Sequence, residues 1–350
     1  MNILKKLNLF AVVTIIIFII MYNIQIIAFA ISPSNRNTIN VGVMLYSFDD
    51  PYMLMLKQSL ENIQKEKGDE LKFTFFDGKN NIAIQNETLD SLLNTNFDLL
   101  IVNPTYIKES TVEDIILKVK QKNIPLILIG VDPQLIPKLS KYYDKVAFVT
   151  PDLEKPGIIE GKILVDLWNS AKESIDKNGD NIMQYIILRG KADSSIANER
   201  TNYSLSTINK AGIKTEPLAS INADWSKEIA KESINSLFLR YGNKLEAIIS
   251  NNDAMAIGAI EALQKYGYNN GDKSKYIPVV GIDGLPEAID LIDKGLMTGT
   301  VVLPLKSSAE GLYTIAMNLI NNVPPTENTN YEVSDGAIIL PTSYHEYIKK

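Results

Sequence analysis

From residue 40 onward, short and continuously apolar stretches recur along the chain. Most are followed by a longer segment with apolar residues three and four positions apart. The apolar runs predict strands over 40–45, 71–76, 99–103, 125–131, 145–150, 184–188, 215–219, 247–250, 278–282, 299–303 and 337–340. Helical periodicity predicts helices between most of them, for example over 53–67, 112–122, 155–172, 226–240, 254–266 and 306–321. Continuous apolar runs, rather than alternating ones, belong to strands covered on both faces, as in parallel sheets flanked by helices. That many strands over 350 residues exceed one hydrophobic core, so the expected architecture is α/β with two doubly wound lobes.

The first residues follow a different pattern. Lys5 and Lys6 precede an apolar stretch from Leu9 to Tyr22, and Ala28-Phe29-Ala30 has the small residues of a cleavage site. Residues 1–31 therefore read as an export leader, and the polar 32–39 as a linker. The apolar stretch from 9 to 31 is also long enough to span a bilayer, which takes roughly 20 residues. Two outcomes stay open, a cleaved signal peptide and an uncleaved membrane anchor. The anchor is the expectation, because a lipid anchor would need a cysteine.

Composition narrows the chemistry. Lys and Arg total 35 against 41 Asp and Glu, a net charge of −6, which disfavours nucleic acid as a partner. The chain has no cysteine and a single histidine, His345. Disulfides, thiol nucleophiles, iron–sulfur clusters and cysteine zinc sites are excluded. A Ser-His-Asp triad would have to use His345, and no G-x-S-x-G elbow is present.

Polar residues cluster where the predicted strands end: Asp50, Asn103, Asp132, Asp152, Asn251, Asn252, Asp253 and Asp283. In open α/β sheets ligands bind beyond those ends. Asn and Asp at the same places also cap helices or make turns, and Asp253, ahead of Ala254-Met255, reads as a cap. No glycine-rich phosphate loop follows the first strand; Tyr46-Ser47-Phe48-Asp49-Asp50-Pro51-Tyr52 stands there instead. Acids beside aromatic rings repel phosphate and suit a neutral polyol, whose hydroxyls donate to carboxylates and whose apolar face stacks on a ring. Tyr52 and Trp225 are candidates for such rings, with ordinary core packing as the alternative.

Asp176, Asn178, Asp180, Ile182 and Gln184 occupy positions 1, 3, 5, 7 and 9 of a calcium-loop pattern, Ile182 through its carbonyl. Position 12 is Ile187, so a bidentate acid would have to come from elsewhere. A plain polar turn is the other reading.

VGVMLYSFDDPY, TPDLEKPGIIEGK, DKNGDNIMQYIILRG, AIISNNDAMAIGAIEAL, IPVVGIDGLPEAIDLIDKG and TGTVV occur in this order. Together they resemble the bacterial galactose/glucose-binding proteins, type I periplasmic sugar receptors that feed an ABC transporter and, in some bacteria, a chemoreceptor. The resemblance runs from about residue 40 to the C-terminus. It implies two lobes, 40–149 with 303–339 and 150–302 with 340–350, joined by three crossovers near 149–150, 302–303 and 339–341, with sugar in the cleft between them. It implies structural Ca2+ held by Asp176, Asn178, Asp180, Ile182 and Gln184, with Glu246 as the distant bidentate acid. It also implies polar sugar contacts from Asp50, Arg200, Asn252 and Asp283, a cleft-lining Tyr46, and stacking by Tyr52 and Trp225. Gly130, Ser194, Ile196 and Leu303 depart from the family pattern, replacing an amide, an imidazole, a carboxylate and an amide.

The expected protein is thus an exported, non-catalytic and monomeric receptor that closes on a monosaccharide or glycoside and delivers it to the membrane subunits of an ABC transporter. One alternative keeps the fold but makes the chain an anchored sensing subunit for a histidine kinase or chemoreceptor. Another is a secreted glycosidase using Asp50 and Asp283.

Overall fold

The computed structural model describes residues 38–349 except Asp69 and Thr342, so the leader and its anchor expectation lie outside the described residues. From 39 to 150 strands β1 (Ile39–Leu45), β2 (Leu71–Asp77), β3 (Leu99–Val102), β4 (Leu126–Ile129) and β5 (Val146–Thr150) alternate with helices. The helices here are α1 (Pro51–Glu66), α2 (Ile82–Leu92) and α3 (Glu109–Gln121). Next come α4 (Lys155–Ile175), β6 (Ile182–Arg189), α5 (Ser195–Lys210), β7 (Lys214–Asn222) and α6 (Lys227–Tyr241). They are followed by β8 (Ala247–Ser250), α7 (Asp253–Gln264), β9 (Val279–Asp283), α8 (Pro286–Asp293) and β10 (Gly299–Val302). The chain ends with α9 (Leu305–Ile320), β11 (Glu332–Ser334), β12 (Ala337–Ile339) and β13 (His345–Ile348).

Among the described residues these strands form two sheets, ordered β11-β12-β5-β4-β3-β1-β2 and β13-β10-β9-β8-β6-β7. Pairing is parallel except where the edge strands β11 and β13 join β12 and β10. The central strands are buried along their whole length, as in Leu99–Val102 and Leu126–Ile129. That is why they read as unbroken apolar runs.

In the first lobe, α1 and α9 cover one face through Leu56, Leu60, Ile63, Leu312 and Ile315. Helices α2 and α3 cover the other through Leu89, Leu92, Ile115 and Ile116. In the second lobe α6, α7 and α8 cover one face, with Ile234, Met255 and Ile292, and α4 and α5 the other, with Ile163, Trp168 and Ile208. The chain passes between the sheets three times: after Thr150, between Val302 and Leu305, and after Ile339. The strand ends at these passages face one cleft, and the site is built there.

Candidate functional site

On the first-lobe wall, β1 leads directly into Tyr46 and Asp50. The Tyr46 hydroxyl donates to the Asp50 carboxylate. The other Asp50 oxygen accepts the backbone N–H groups of Tyr52 at 2.8 Å and Met53 at 3.3 Å, capping α1. Capping and facing the cleft are thus one placement, not alternatives. The cap fixes the first turn of α1, which carries the Tyr52 ring into the cleft. Asn103 follows β3, donates to the Ile129 carbonyl at 2.9 Å, and keeps a buried Oδ1 without a partner.

The second-lobe wall is more strained. Asp283 ends β9 with φ +136°, and Trp225 lies between β7 and α6 with φ +65°. Non-glycine residues adopt such backbone only where the surroundings hold them. Trp225 is held by Gly190, where a Cβ would come within 2.1 Å of the indole. Arg200 rises from α5, donates to the Asn251 carbonyl at 2.6 Å and stands 3.6 Å from the Asp283 carboxylate. Its guanidinium lies 5.9 Å from the Trp225 ring centre. Asn252 caps α7 by accepting the Met255 N–H at 3.0 Å and gives its amide N–H to the Trp225 carbonyl at 3.4 Å.

Tyr46, Asp50 and Tyr52 from one lobe and Arg200, Trp225, Asn252 and Asp283 from the other therefore line one cavity. Burial raises the carboxyl of Asp283 well above the usual range although Arg200 lowers it, and burial raises Asp50 against the hydrogen bonds it accepts. Two buried acidic groups face the Arg200 guanidinium and the Lys191 ammonium in this cavity, a set of acceptors and donors suited to the hydroxyls of a neutral ligand.

Two residues behave differently from the sequence reading, or were missed by it. Asp253 is not the cap of α7. It sits buried inside the first turn and accepts the Gly284 and Leu285 N–H groups, both at 2.8 Å, and the Thr300 hydroxyl at 2.7 Å. It ties the β9 and β10 ends together because Asn252, one residue earlier, has the extended backbone a cap requires. Lys191 was not a candidate, since a lysine after a strand reads as solvated. Its ammonium crosses the cleft to the Thr105 carbonyl at 2.7 Å and Asn80 Oδ1 at 2.6 Å, over the Tyr46 ring at 4.6 Å. It closes the cavity mouth. The only available signal was its position right after the β6 end.

A further buried acid lies behind Arg200. Glu160 of α4 is fully buried, and neither its oxygens nor the Ser204 hydroxyl completes a hydrogen bond. Burial pushes its carboxyl up to about 8, although the nearby Arg200 guanidinium pulls it down. Between the ordinary glutamate range and about 8, the folded state keeps a proton that the unfolded state has lost. Stability from this group is full below that window and falls as pH rises through it, by up to a few kcal/mol. Glu160→Gln should flatten the decline, raising the melting temperature at pH 8.5 and changing it little at pH 5. Equal changes at both pH values would show Glu160 ionised throughout.

The calcium-loop residues form a compact turn between α4 and β6. Asp176 accepts the Asp180 and Asn181 N–H groups, Asn178 that of Asp180, and Asp180 that of Ile182, at 2.8–3.1 Å. Glu246 reaches it from the start of β8, accepting the Lys177 N–H at 2.7 Å and the Gln184 N–H at 3.0 Å. Among the described residues, no three His, Cys, Asp or Glu side chains converge as a metal-holding group. The Asp176 and Glu246 carboxylates are turned onto backbone instead, and Asp180 also accepts the side-chain amides of Asn178 and Gln184. One atom departs from a self-satisfied turn: Gln184 Oε1 is buried and without a partner. Oxygen-only donors of this kind fit a hard cation.

Two parallel α/β lobes, with binding groups on both walls of one cleft, define a solute receptor that encloses its ligand. The chain belongs to the periplasmic binding protein domain family, whose model matches residues 41–323. It is 32% identical over 302 residues to the D-galactose/methyl-galactoside binding periplasmic protein MglB of Haemophilus influenzae, covering 86% of this chain and 87% of that one. It is 27% identical to the D-allose-binding periplasmic protein of Escherichia coli, over 77% of this chain and 81% of that one. Among solved structures it resembles a galactofuranose binding protein, with a TM-score of 0.70 at 18% identity over 89% of this chain and 94% of the other. These relatives are receptors, so the glycosidase alternative falls, and the family places the chain outside the cytoplasm.

Proposed function

We propose that the protein binds one monosaccharide or glycoside between its lobes and delivers it to the membrane subunits of an ABC transporter. The carrying observation is the shared cavity: carboxylates and rings come from both lobes, so only the closed form offers the full set. Ligand contact with both walls then shifts the population toward closure. The polar groups suit vicinal hydroxyls, and Tyr52 and Trp225 suit the apolar faces of a sugar ring. The name of the Haemophilus relative supports a galactose-like ligand. Gly130, Ser194, Ile196 and Leu303 narrow that choice. Ser194 caps α5, accepting the Ala197 N–H at 3.3 Å, and Ile196 and Leu303 turn hydrocarbon to the cleft. No feature of the described residues favours a kinase-coupled sensing subunit. Residues 9–31 are proposed to tether the receptor to the membrane.

A thermal-shift screen of the full chain against aldoses, deoxy sugars and glycosides tests the reading. A ligand at 100 times its Kd should stabilise the fold by about 2.7 kcal/mol. No shift with any sugar or glycoside at millimolar concentration would overturn it.

The same chain is proposed to hold Ca2+ through Asp176, Asn178, Asp180, Gln184, the Ile182 carbonyl and Glu246. The support is the partnerless Gln184 Oε1, with the Glu246 carboxylate reaching the same turn through the Lys177 and Gln184 N–H groups. The ion would brace the start of β6 and play no part in sugar contact. Chelator should lower the melting temperature by several degrees, and Asp180→Ala should remove that sensitivity. An unchanged melting temperature with chelator, and no metal in the purified protein, would leave a polar turn.

A further inference from the structure

The polar cavity opens toward the hinge into a second cavity of about 140 Å3, larger than the about 110 Å3 of the first. Leu56 of α1, Val149 of β5, Pro156 of α4, Leu303, Leu312 of α9 and Leu340 line it. Two of its polar neighbours, Ser308 and Tyr344, are already engaged. The Ser308 hydroxyl donates to the Pro304 carbonyl at 3.2 Å, and the Tyr344 hydroxyl accepts the Asp152 N–H at 3.3 Å. The two cavities meet at Tyr52, Met53, Asn103, Gly130, Ile196 and Arg200. Gly130 leaves this passage open, since even a Cβ there would stand 3.1 Å from Asn103 Nδ2. The unpartnered Asn103 Oδ1 is the polar atom at the junction.

We infer that the hinge-side cavity is a subsite for the hydrocarbon aglycone of a glycoside whose sugar ring occupies the polar cavity. The inference rests on the sugar-receptor reading above and names the ligand class within it. A second sugar ring does not fit this chemistry. Its hydroxyls would face Leu303, Leu312 and Leu340, losing water without gaining partners. An alkyl or aryl group faces no such loss. Each methylene it buries removes apolar surface from water, and the sugar hydroxyl or glycosidic region at the junction meets Asn103. The passage explains why this cavity continues the sugar site and is not an isolated packing defect.

The test is calorimetry on the full chain, held in a detergent that is not itself a glycoside. The probes are glucose and galactose and both anomers of their methyl, butyl and phenyl glycosides. For one anomer, affinity should rise at least tenfold from methyl to butyl, since a buried methylene gives about fourfold. Ser308→Leu, on the exposed-to-buried boundary of α9 and lining only the hinge-side cavity, should remove most of that gain and leave the methyl glycoside within threefold. Its melting temperature checks that the variant folds. If the free sugar or methyl glycoside binds and butyl brings no gain for either anomer, the aglycone subsite is refuted while the receptor reading stands. An undiminished butyl gain in Ser308→Leu would also refute it, by placing the chain elsewhere. If no sugar and no glycoside binds, both fall together.

Discussion

Asp283→Asn should weaken binding of the sugar found by screening by two orders of magnitude or more. The carboxylate is 3% exposed, 3.6 Å from Arg200, and at the end of a strand whose backbone delivers it to the cavity. Hydrogen bonds to a charged group are worth about 1.5–3 kcal/mol each, and a carboxylate takes two hydroxyls. Replacing it with an amide leaves one acceptor and no charge, a loss of about 3 kcal/mol and more than a hundredfold in Kd. Asparagine is chosen because it tolerates positive φ, here +136°. Arg200 keeps its bond to the Asn251 carbonyl in the variant. The unliganded fold should therefore survive, and a circular-dichroism melt would verify that. Calorimetry returning an affinity within threefold of the parent would remove Asp283 from the ligand contacts.

The parallel strands were legible because burial on both faces writes itself as uninterrupted Leu, Ile and Val. The edges were not. Strand β7 pairs on one side only and carries Glu216, Ser220 and Asn222, so its apolar run looked shorter than its pairing. Strands β11 and β13 are three and four residues long, exposed over much of their length, and antiparallel additions to finished sheets. No local pattern distinguishes Glu332–Ser334 from a turn. Tertiary pairing alone makes it a strand.

The site divides in the same way. Asp50 and Asn252 were found because strand ends collect polar residues, but sequence offered capping and ligand contact as rivals. The backbone N–H groups take one acceptor atom of each, and both residues still line the cavity. Asp253 shows the limit of spacing arguments: moving the cap by one residue turns a helix terminus into a buried brace. Lys191 and the hinge-side cavity were beyond reach for a stronger reason. Leu56, Val149, Leu303 and Leu340 come from four separate stretches of chain and meet only when both lobes and all three passages are in place. Periodicity marks each as core; none carries a sign that its neighbours leave space.

Trp225 offers the clearest separation of fold from ligand contact, and the expected result is a large loss of binding with a small loss of stability. Its ring lines the cavity with Arg200 beyond it, and its backbone stands at φ +65°, where a bulky residue is strained. Trp225→Gly removes the stacking face and relieves that strain together, so the packing lost in the unliganded protein is partly offset. Burying one ring face against a sugar is worth about 2 kcal/mol, so affinity should fall roughly thirtyfold. Fluorescence gives a second readout. The other tryptophan, Trp168, is 4% exposed on the buried face of α4, in the core cluster of Ile163, Ile175 and Ile208, and does not line the cavity. It should not respond to ligand, and the sugar-induced emission change of the parent should vanish in Trp225→Gly at saturating ligand. A full emission change in the variant would place the reporting ring elsewhere. Unchanged affinity would reduce Trp225 to a strained wall residue that the sugar does not touch, leaving Tyr52 as the stacking face and the second lobe to act through Arg200, Asn252 and Asp283 alone.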